Sequence, residues 1–556
     1  MKKQLSRRNL LTWLDDNLLL ILSGLLLVFI PLYPKIPLFS PIEQYIVRVR
    51  LEDILVLLTV LVWIVQVIRR KVVWKTPALF LVTAYLVVGL LSIISATLIQ
   101  HTVPLEPLHL GKTILHYFRY IQYFSLLFIF SASINSIKQV KLFLILLITA
   151  IIGITIYGYG QKYYQWPVYS TMNREFSKGV RLVLTEHARV QSTFAGHYDL
   201  GAYLVLTLPL ILSIIFIAKN KRVRLAAGLA FVLGAWLLTL SASRTSYVAF
   251  VGGITLATGF LAFKQPTNFK KLSWGVKRLI VTYLVVGLLF ISYGTDMYER
   301  FLQVIQGYPM INQSYHQFNK WRKDTVNYLA SQLFSLQDSG SGPAAPGQAA
   351  GPLVPSDERP IPYRPSDVYV DVPELIAIET STGAFSVVER PRVFSECALT
   401  KGLSWCIRVE TLWPQAIAGF QTNPFFGTGY ATLNKETVDQ FTEAESTDNN
   451  FLRTLGETGF FGFITFYGVV AYVMWQAYLL LRRQEPLSLI LGAGFLAGSL
   501  GLLVNAVYID VFASSKVAFT YWALAGIMLA YSWQVDSRRE LRPAKLTRSK
   551  RYGKKN

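Results

Sequence analysis

Apolar stretches of membrane-spanning length recur twelve times along this 556-residue chain, and they restrict its fold more than any other feature. Leu18–Pro34, Ala78–Ile99, Val140–Tyr159, Tyr198–Ala218 and Val276–Tyr293 approach or exceed the roughly 20 residues that carry a helix across hydrocarbon. Lipid offers no partner to a backbone N–H or C=O, so each segment must satisfy its own, and a helix does so. Further spans are expected near 52–68, 113–134, 225–240, 245–263, 459–481, 487–505 and 517–533. The fold class expected is therefore all-α, a polytopic membrane protein of about twelve transmembrane helices. A composition of 53% hydrophobic and 15% charged residues agrees. The first span runs into Pro34-Lys35-Ile36-Pro37 rather than a small-residue cleavage site, so it is expected to be retained.

A net charge of +22 raises the question of nucleic acid, and the placement of the charge answers it. With the N-terminus inside, the cations cluster in inward segments: Lys2, Lys3, Arg7 and Arg8, then Arg69 to Lys75, Lys138 and Lys141, Lys219 to Arg224, Lys264 to Arg278, Arg482 and Arg483, and the tail. Of the 54 Lys and Arg, 30 lie in inward segments that are nearly all short, while the much longer outer regions hold the rest. That asymmetry is the positive-inside bias, and it places both termini in the cytoplasm. No nucleic-acid partner is expected; membrane lipids are, and the basic tail suits anionic headgroups.

The organisation that follows is a membrane domain of nine spans over 1–294, a large extracytoplasmic loop over 295–455, three further spans over 456–535 and a basic cytoplasmic tail over 536–556. The loop begins with an amide- and aromatic-rich helical stretch from Tyr298 to Leu336. Near 337–365 it becomes rich in Pro, Gly and Ala, a composition that cannot bury enough apolar surface to order itself. Cys397 and Cys406, the two cysteines of the chain, fall in this loop, where their spacing allows a disulfide without requiring one. No Cys or His cluster has metal-ligand spacing, so no metal and no cofactor is expected.

Three outer segments carry residues that suit chemistry. Ser241-Ala-Ser-Arg244 is a short link between apolar spans, and an arginine there either snorkels to the interface or holds an anion among small serines. Arg408-Val-Glu-Thr-Leu-Trp413 runs on to Asn423-Pro-Phe-Phe-Gly-Thr-Gly-Tyr430, whose glycines suggest a tight turn rather than a phosphate loop, because no Gly-Lys-Ser/Thr follows. Ser446-Thr-Asp448-Asn449-Asn450 leads through Gly456-Glu457 and Gly459 to Gly462 at the start of the tenth span, and Asp448 suits a helix N-cap or a site carboxylate. A fourth outer segment, Gln161 to His197, adds Glu186, His187 and Arg189.

In this order and on one face, these pieces resemble the O-antigen ligase and O-antigen polymerase family of membrane glycosyltransferases. The resemblance spans roughly Arg189 to Tyr508 and includes Arg189-Val-Gln-Ser-Thr-Phe194 with Leu200-Gly-Ala-Tyr-Leu204. It implies an inverting, metal-independent enzyme of the cytoplasmic membrane. Such an enzyme takes a glycan from undecaprenyl diphosphate and joins it to the hydroxyl of a glycan, lipid or protein acceptor outside. It further implies that Arg244 and Arg408 are catalytic through the departing diphosphate, and that Asp448 is catalytic at the acceptor. Arg189, His187, Asn449, Asn450 and Glu457 would bind substrate, with Glu457 or His187 as the other candidate bases. Ligases of the family carry histidine then asparagine where this chain has Asp448-Asn449, a departure that points towards a polymerase or another polysaccharide-attaching relative.

The alternative class is a multi-pass transporter or a flippase of a lipid-linked glycan, because twelve spans with both ends inside is a common transporter layout. The spans hold few acidic residues for an ion relay and no paired broken segments in matching halves. A scaffold that uses the loop to bind a partner is the third reading.

Overall fold

The computed structural model describes residues 7–41, 48–72, 76–171, 174–185, 188–305, 324, 375–379, 385–389, 397, 403–433 and 446–540. In chain order the elements begin with α1 (Arg7–Leu32), β1 (Pro37–Phe39), β2 (Val49–Arg50), α2 (Leu51–Ile68), α3 (Ala78–Ile94), α4 (Pro107–Ser133) and α5 (Ile137–Tyr164). They continue with α6 (Arg174–Ser177), α7 (His197–Ile217), α8 (Lys221–Leu240), α9 (Arg244–Ala262), α10 (Asn268–Tyr293), α11 (Thr295–Ile305), β3 (Leu375–Glu379) and β4 (Phe385–Glu389). The last are α12 (Leu403–Ile407), α13 (Trp413–Thr422), α14 (Asn450–Leu481), α15 (Pro486–Asn505) and α16 (Ser515–Glu540). Each expected span coincides with one of the long helices to within a few residues at its ends, the third continued by a π-helical turn, Ser95–Ile99. Ten of these are long and apolar enough to cross a membrane; α4 and α16 are comparably long but more polar. In α4 the first half carries Lys112, His116 and Arg119.

The fold is mostly helical, and among the described residues strand occurs in two short antiparallel hairpins, β1–β2 and β3–β4. The second pairs Leu375-Ile-Ala-Ile-Glu with Phe385-Ser-Val-Val-Glu, runs whose branched and aromatic residues favour the pleated state. The low-complexity run near 337–365, and the stretch from Tyr298 to Leu336 beyond α11 apart from Asp324, lie outside the described residues.

At the centre stands α7, packed against α8, α9 and α15 and largely buried, whereas α10 runs along the edge with Val281, Leu284 and Leu288 exposed. Exposed leucines in water are a liability; facing lipid they are the expected surface. Gly494 and Gly498 of α15 allow a close approach to α7, where an added Cβ would lie 2.5 Å from Leu210 Cα and 2.3 Å from Leu206 O. Small residues spaced by four are how helices close on one another where no hydrophobic effect drives them together.

One helix is broken on purpose. Within α14, Gly459 adopts φ 66°, ψ −167°, a backbone region that glycine alone enters readily. The groups freed by this break bond to the loop before it. Thr428 N donates to Gly456 O at 2.9 Å, Gly429 N to Glu457 O at 3.0 Å, and Phe460 N to Pro424 O at 2.8 Å. The glycine-rich turn after Asn423 is thus a strap across the kink, and the glycines of both segments serve one junction.

Gly459→Ala should therefore be damaging. The new methyl would lie 2.4 Å from Phe425 C and require a strained φ, at a cost of at least 1–3 kcal/mol. Gly252→Ala, where nothing lies within 4 Å, should stabilise by up to about 1 kcal/mol. Thermal unfolding in detergent should separate the two in opposite directions; equal melting temperatures would show the strap contributes nothing.

Candidate functional site

The ends of several helices converge where the short links between them meet the segment that begins at Leu403. Arg408 opens a π-helical turn, Arg408–Leu412, a wide backbone irregularity of the kind that often marks functional positions. Its side chain is 5% exposed; Nη2 pairs with Asp448 Oδ2 at 2.8 Å and also donates to Tyr508 O at 3.3 Å. Asp448 itself is 27% exposed, so the pair joins a buried cation to a carboxylate that reaches the surface. Beside them Trp405, Trp413 and Tyr508 form a ring cluster, with centroids 5.8 to 6.3 Å apart and Arg408 over the Tyr508 ring.

The backbone that presents Asp448 is unusual. Asp448 has φ +51°, a region Asp and Asn tolerate better than most residues. The N-cap of α14 is Asn449, whose Oδ1 accepts from Phe451 N and Leu452 N. Asp448 stands one residue before the cap and is left for Arg408. Asn450 is equally occupied, donating to Tyr467 Oη and accepting from Phe512 N.

What holds this turn is a residue from the far end of the chain. Asp510 follows α15, and its carboxylate accepts from Thr447 N at 2.9 Å, Asn449 N at 3.0 Å and Arg453 Nη1 at 3.1 Å. Ser446 Oγ lies 2.8 Å from both Asp510 and Asp448, so its one proton serves either carboxylate. Arg453 also pairs with Glu457 at 3.2 Å, and Glu457 accepts from Ala431 N. Charged groups thus run from Arg408 through Asp448, Asp510 and Arg453 to Glu457, from the surface to the kink, with the two neighbouring acids joined through the Ser446 hydroxyl.

Two further arginines stand close by. Arg244 begins α9 and its Nη1 donates to the backbone oxygen of Arg300, on α11, at 2.6 Å. The serines around it are committed to the scaffold, Ser243 Oγ to Ser246 Oγ at 2.8 Å and Asn505 Nδ2 to Ser246 Oγ at 3.0 Å. Arg189 lies over the Tyr198 ring. His187 lies outside the described residues. Cys397 and Cys406 are bonded, with Cα atoms 5.8 Å apart, and the bond anchors the helix that leads two residues later to Arg408.

The structure thus brings Arg408 and Asp448 into contact and makes Asn449, Asn450 and Glu457 parts of the framework around them. It adds Asp510 and Arg300, which the sequence reading passed over. An acid in the short link between two apolar spans, Tyr508-Ile-Asp510, was the available signal for the first. Other acids of the helical bundle are engaged by neighbours: buried Glu52 with Lys35, and the part-buried Asp53 with Arg119 and Asp199 with Ser514. Among the described residues no group of His, Cys, Asp and Glu has the makings of a metal site. No protein-family profile matches the sequence, and no curated protein is similar to it.

Asp510→Asn should release this turn, because an amide cannot accept from every donor that the carboxylate serves and leaves Arg453 with a neutral neighbour. A loss on the order of 3 kcal/mol is expected. Limited proteolysis should then cut near 446–450, and a variant as resistant as the parent would refute the anchoring role.

Proposed function

We propose that this chain is a membrane glycosyltransferase that moves a glycan from undecaprenyl diphosphate to an acceptor hydroxyl at the outer face of the cytoplasmic membrane. The acceptor is a glycan, lipid or protein, and the product is a surface polysaccharide made by polymerisation or ligation. The reading takes α4 and α16 as spans too, giving twelve with both termini cytoplasmic and 295–455 outside. The Lys and Arg asymmetry supports that topology.

The observation that carries the reading is the Arg408–Asp448 pair, a buried phosphate-binding group joined to a surface-reaching proton acceptor. A diphosphate arriving at Arg408 competes for the guanidinium, which binds phosphate oxygens in the same forked manner as a carboxylate. Asp448 is then released to take the acceptor proton. The acceptor oxygen attacks the anomeric carbon, the bond to the diphosphate breaks on the opposite face, and the diphosphate leaves with the electron pair. Arg244 and Arg408 stabilise that growing charge, a contribution of several kcal/mol when donors are held in place. Trp405, Trp413 and Tyr508 offer flat faces on which a sugar ring can stack.

Two experiments test this. In vesicles with lipid-linked oligosaccharide, Arg244→Ala should abolish transfer and Arg244→Lys should restore little, since a point charge does not reproduce the fork. Asp448→Asn keeps shape and tolerates the positive φ, yet should lower transfer by about 10²-fold or more. Near-normal transfer in Asp448→Asn would end its role as base, and active Arg244→Ala would end the glycosyltransferase reading.

For topology, Ser339→Cys should react with an impermeant maleimide on intact cells, against a low background because Cys397 and Cys406 are bonded. Labelling only after permeabilisation would invert the arrangement.

A further inference from the structure

Ser243 holds the N-cap position of α9 and belongs to the residue types that cap best, yet its hydroxyl makes no bond to the first turn. It lies instead 2.8 Å from Ser246 Oγ, which accepts from Asn505 Nδ2 at 3.0 Å. The cap is forgone for a joint between α9 and the last residue of α15. All three side chains are buried. Gly201 of α7 makes the room, since an added Cβ there would lie 2.5 Å from Ser246 Oγ. Gly501, one turn before Asn505, brings α15 against Ala249 O of α9. Apolar side chains would join two helices equally well; a satisfied amide and hydroxyl add direction, and so fix the rotation of α9. Arg244 is the first residue of that helix, two before Ser246. The link that leads to it includes Ala242 at φ +46°, a conformation alanine rarely adopts and that its surroundings must impose.

The residues that follow Asn505 hold the other side of the candidate site. Ala506 O accepts from Asn450 N at 2.8 Å, Tyr508 O accepts from Arg408 Nη2 at 3.3 Å, and Asp510 grips the backbone on both sides of Asp448. One short stretch, Asn505 to Asp510, therefore touches Arg408 and the segments that carry Arg244 and Asp448. We infer that Asn505 is a positioning residue which, through Ser246, sets Arg244 relative to the Arg408–Asp448 pair. This role presupposes the glycosyltransferase reading and adds to it a joint that touches neither substrate nor reacting atoms. A donor that stabilises growing charge is effective only where it is held in place, and a shift of about 1 Å can cost on the order of 10²-fold in rate.

The test uses the full chain in vesicles with lipid-linked oligosaccharide and compares kcat, donor KM and melting temperature. Asn505→Leu keeps the branched shape without a donor. Ser246→Ala removes the acceptor and frees Ser243 to cap α9, which offsets the loss in stability. Each should lower kcat about tenfold or more, with KM within about threefold of the parent and the melting temperature little changed. The double variant should be no slower than the slower single one, because both substitutions break the same bond. Losses that multiply in the double variant, or that follow the melting temperature, would reduce the joint to ordinary packing and overturn the role. If Asn505→Leu does not fold, Ser246→Ala decides alone, and transfer at the parent's rate overturns the role. A parent that transfers no glycan sinks the glycosyltransferase reading and this role with it, whereas an active parent with unaffected variants overturns the role alone.

Discussion

The carboxylate of Asp510 fixes the part of the structure on which the candidate chemistry depends. It accepts hydrogen bonds from the backbone on both sides of Asp448, at Thr447 and Asn449, and a charged one from Arg453. A residue with φ +51° does not hold that conformation by itself; its neighbours must impose it. Asp510 imposes it from 62 positions away in sequence, just beyond the C-terminal end of α15, which is packed against α7. The orientation of Asp448 is therefore a tertiary property. A buried carboxylate is expensive, and its retention here is explained by four donors that a hydrophobic residue would leave unmet.

That dependence explains which parts of the site were legible in the sequence. Hydropathy located the long helices because membrane spans are encoded locally, in about twenty residues each. Ends were less visible: α1 begins at Arg7 rather than near Leu18, since polar turns continue a helix beyond the hydrocarbon. The tenth span was expected from residue 459, but α14 begins at Asn450 and carries its break at Gly459. Asp448 and Asn449 are both good capping residues, and nothing local decides between them. Asp510 decides, because it holds the backbone N–H of Asn449 and leaves that side chain to cap the helix. The glycines of 423–430 read as a tight turn, whereas their partner, the kink of α14, is a long-range contact that pattern reading cannot supply.

Packing also separates the residues by role. Asn449, Asn450 and Glu457 are engaged by Phe451, Tyr467 and Arg453 within the framework. Arg408 and Asp448 are engaged by each other, one buried and one reaching the surface. A pair of that kind is the one most readily exchanged for a ligand, because a phosphate replaces the carboxylate with like geometry and charge. Framework pairs such as Arg453–Glu457 offer no such exchange: both side chains are nearly inaccessible, and opening them would strand a charge away from water.

Seen from the helix ends, the same logic reaches α7. Its first turn faces two charged neighbourhoods in opposite directions, Asp199 towards Lys35, Lys516 and Arg50, and His197 towards Arg189, Arg300 and Arg408. On the first side the cations have a carboxylate in place, and Lys516 adds bonds to Pro31 O, Tyr33 O and Thr193 O that tie α1 and α16 together. On the second side the first turn offers an imidazole, with its buried Nε2 unmet. Arg408 on the second side has its carboxylate in Asp448, so each side meets an acid, from α7 itself in one case and from the segment before α14 in the other.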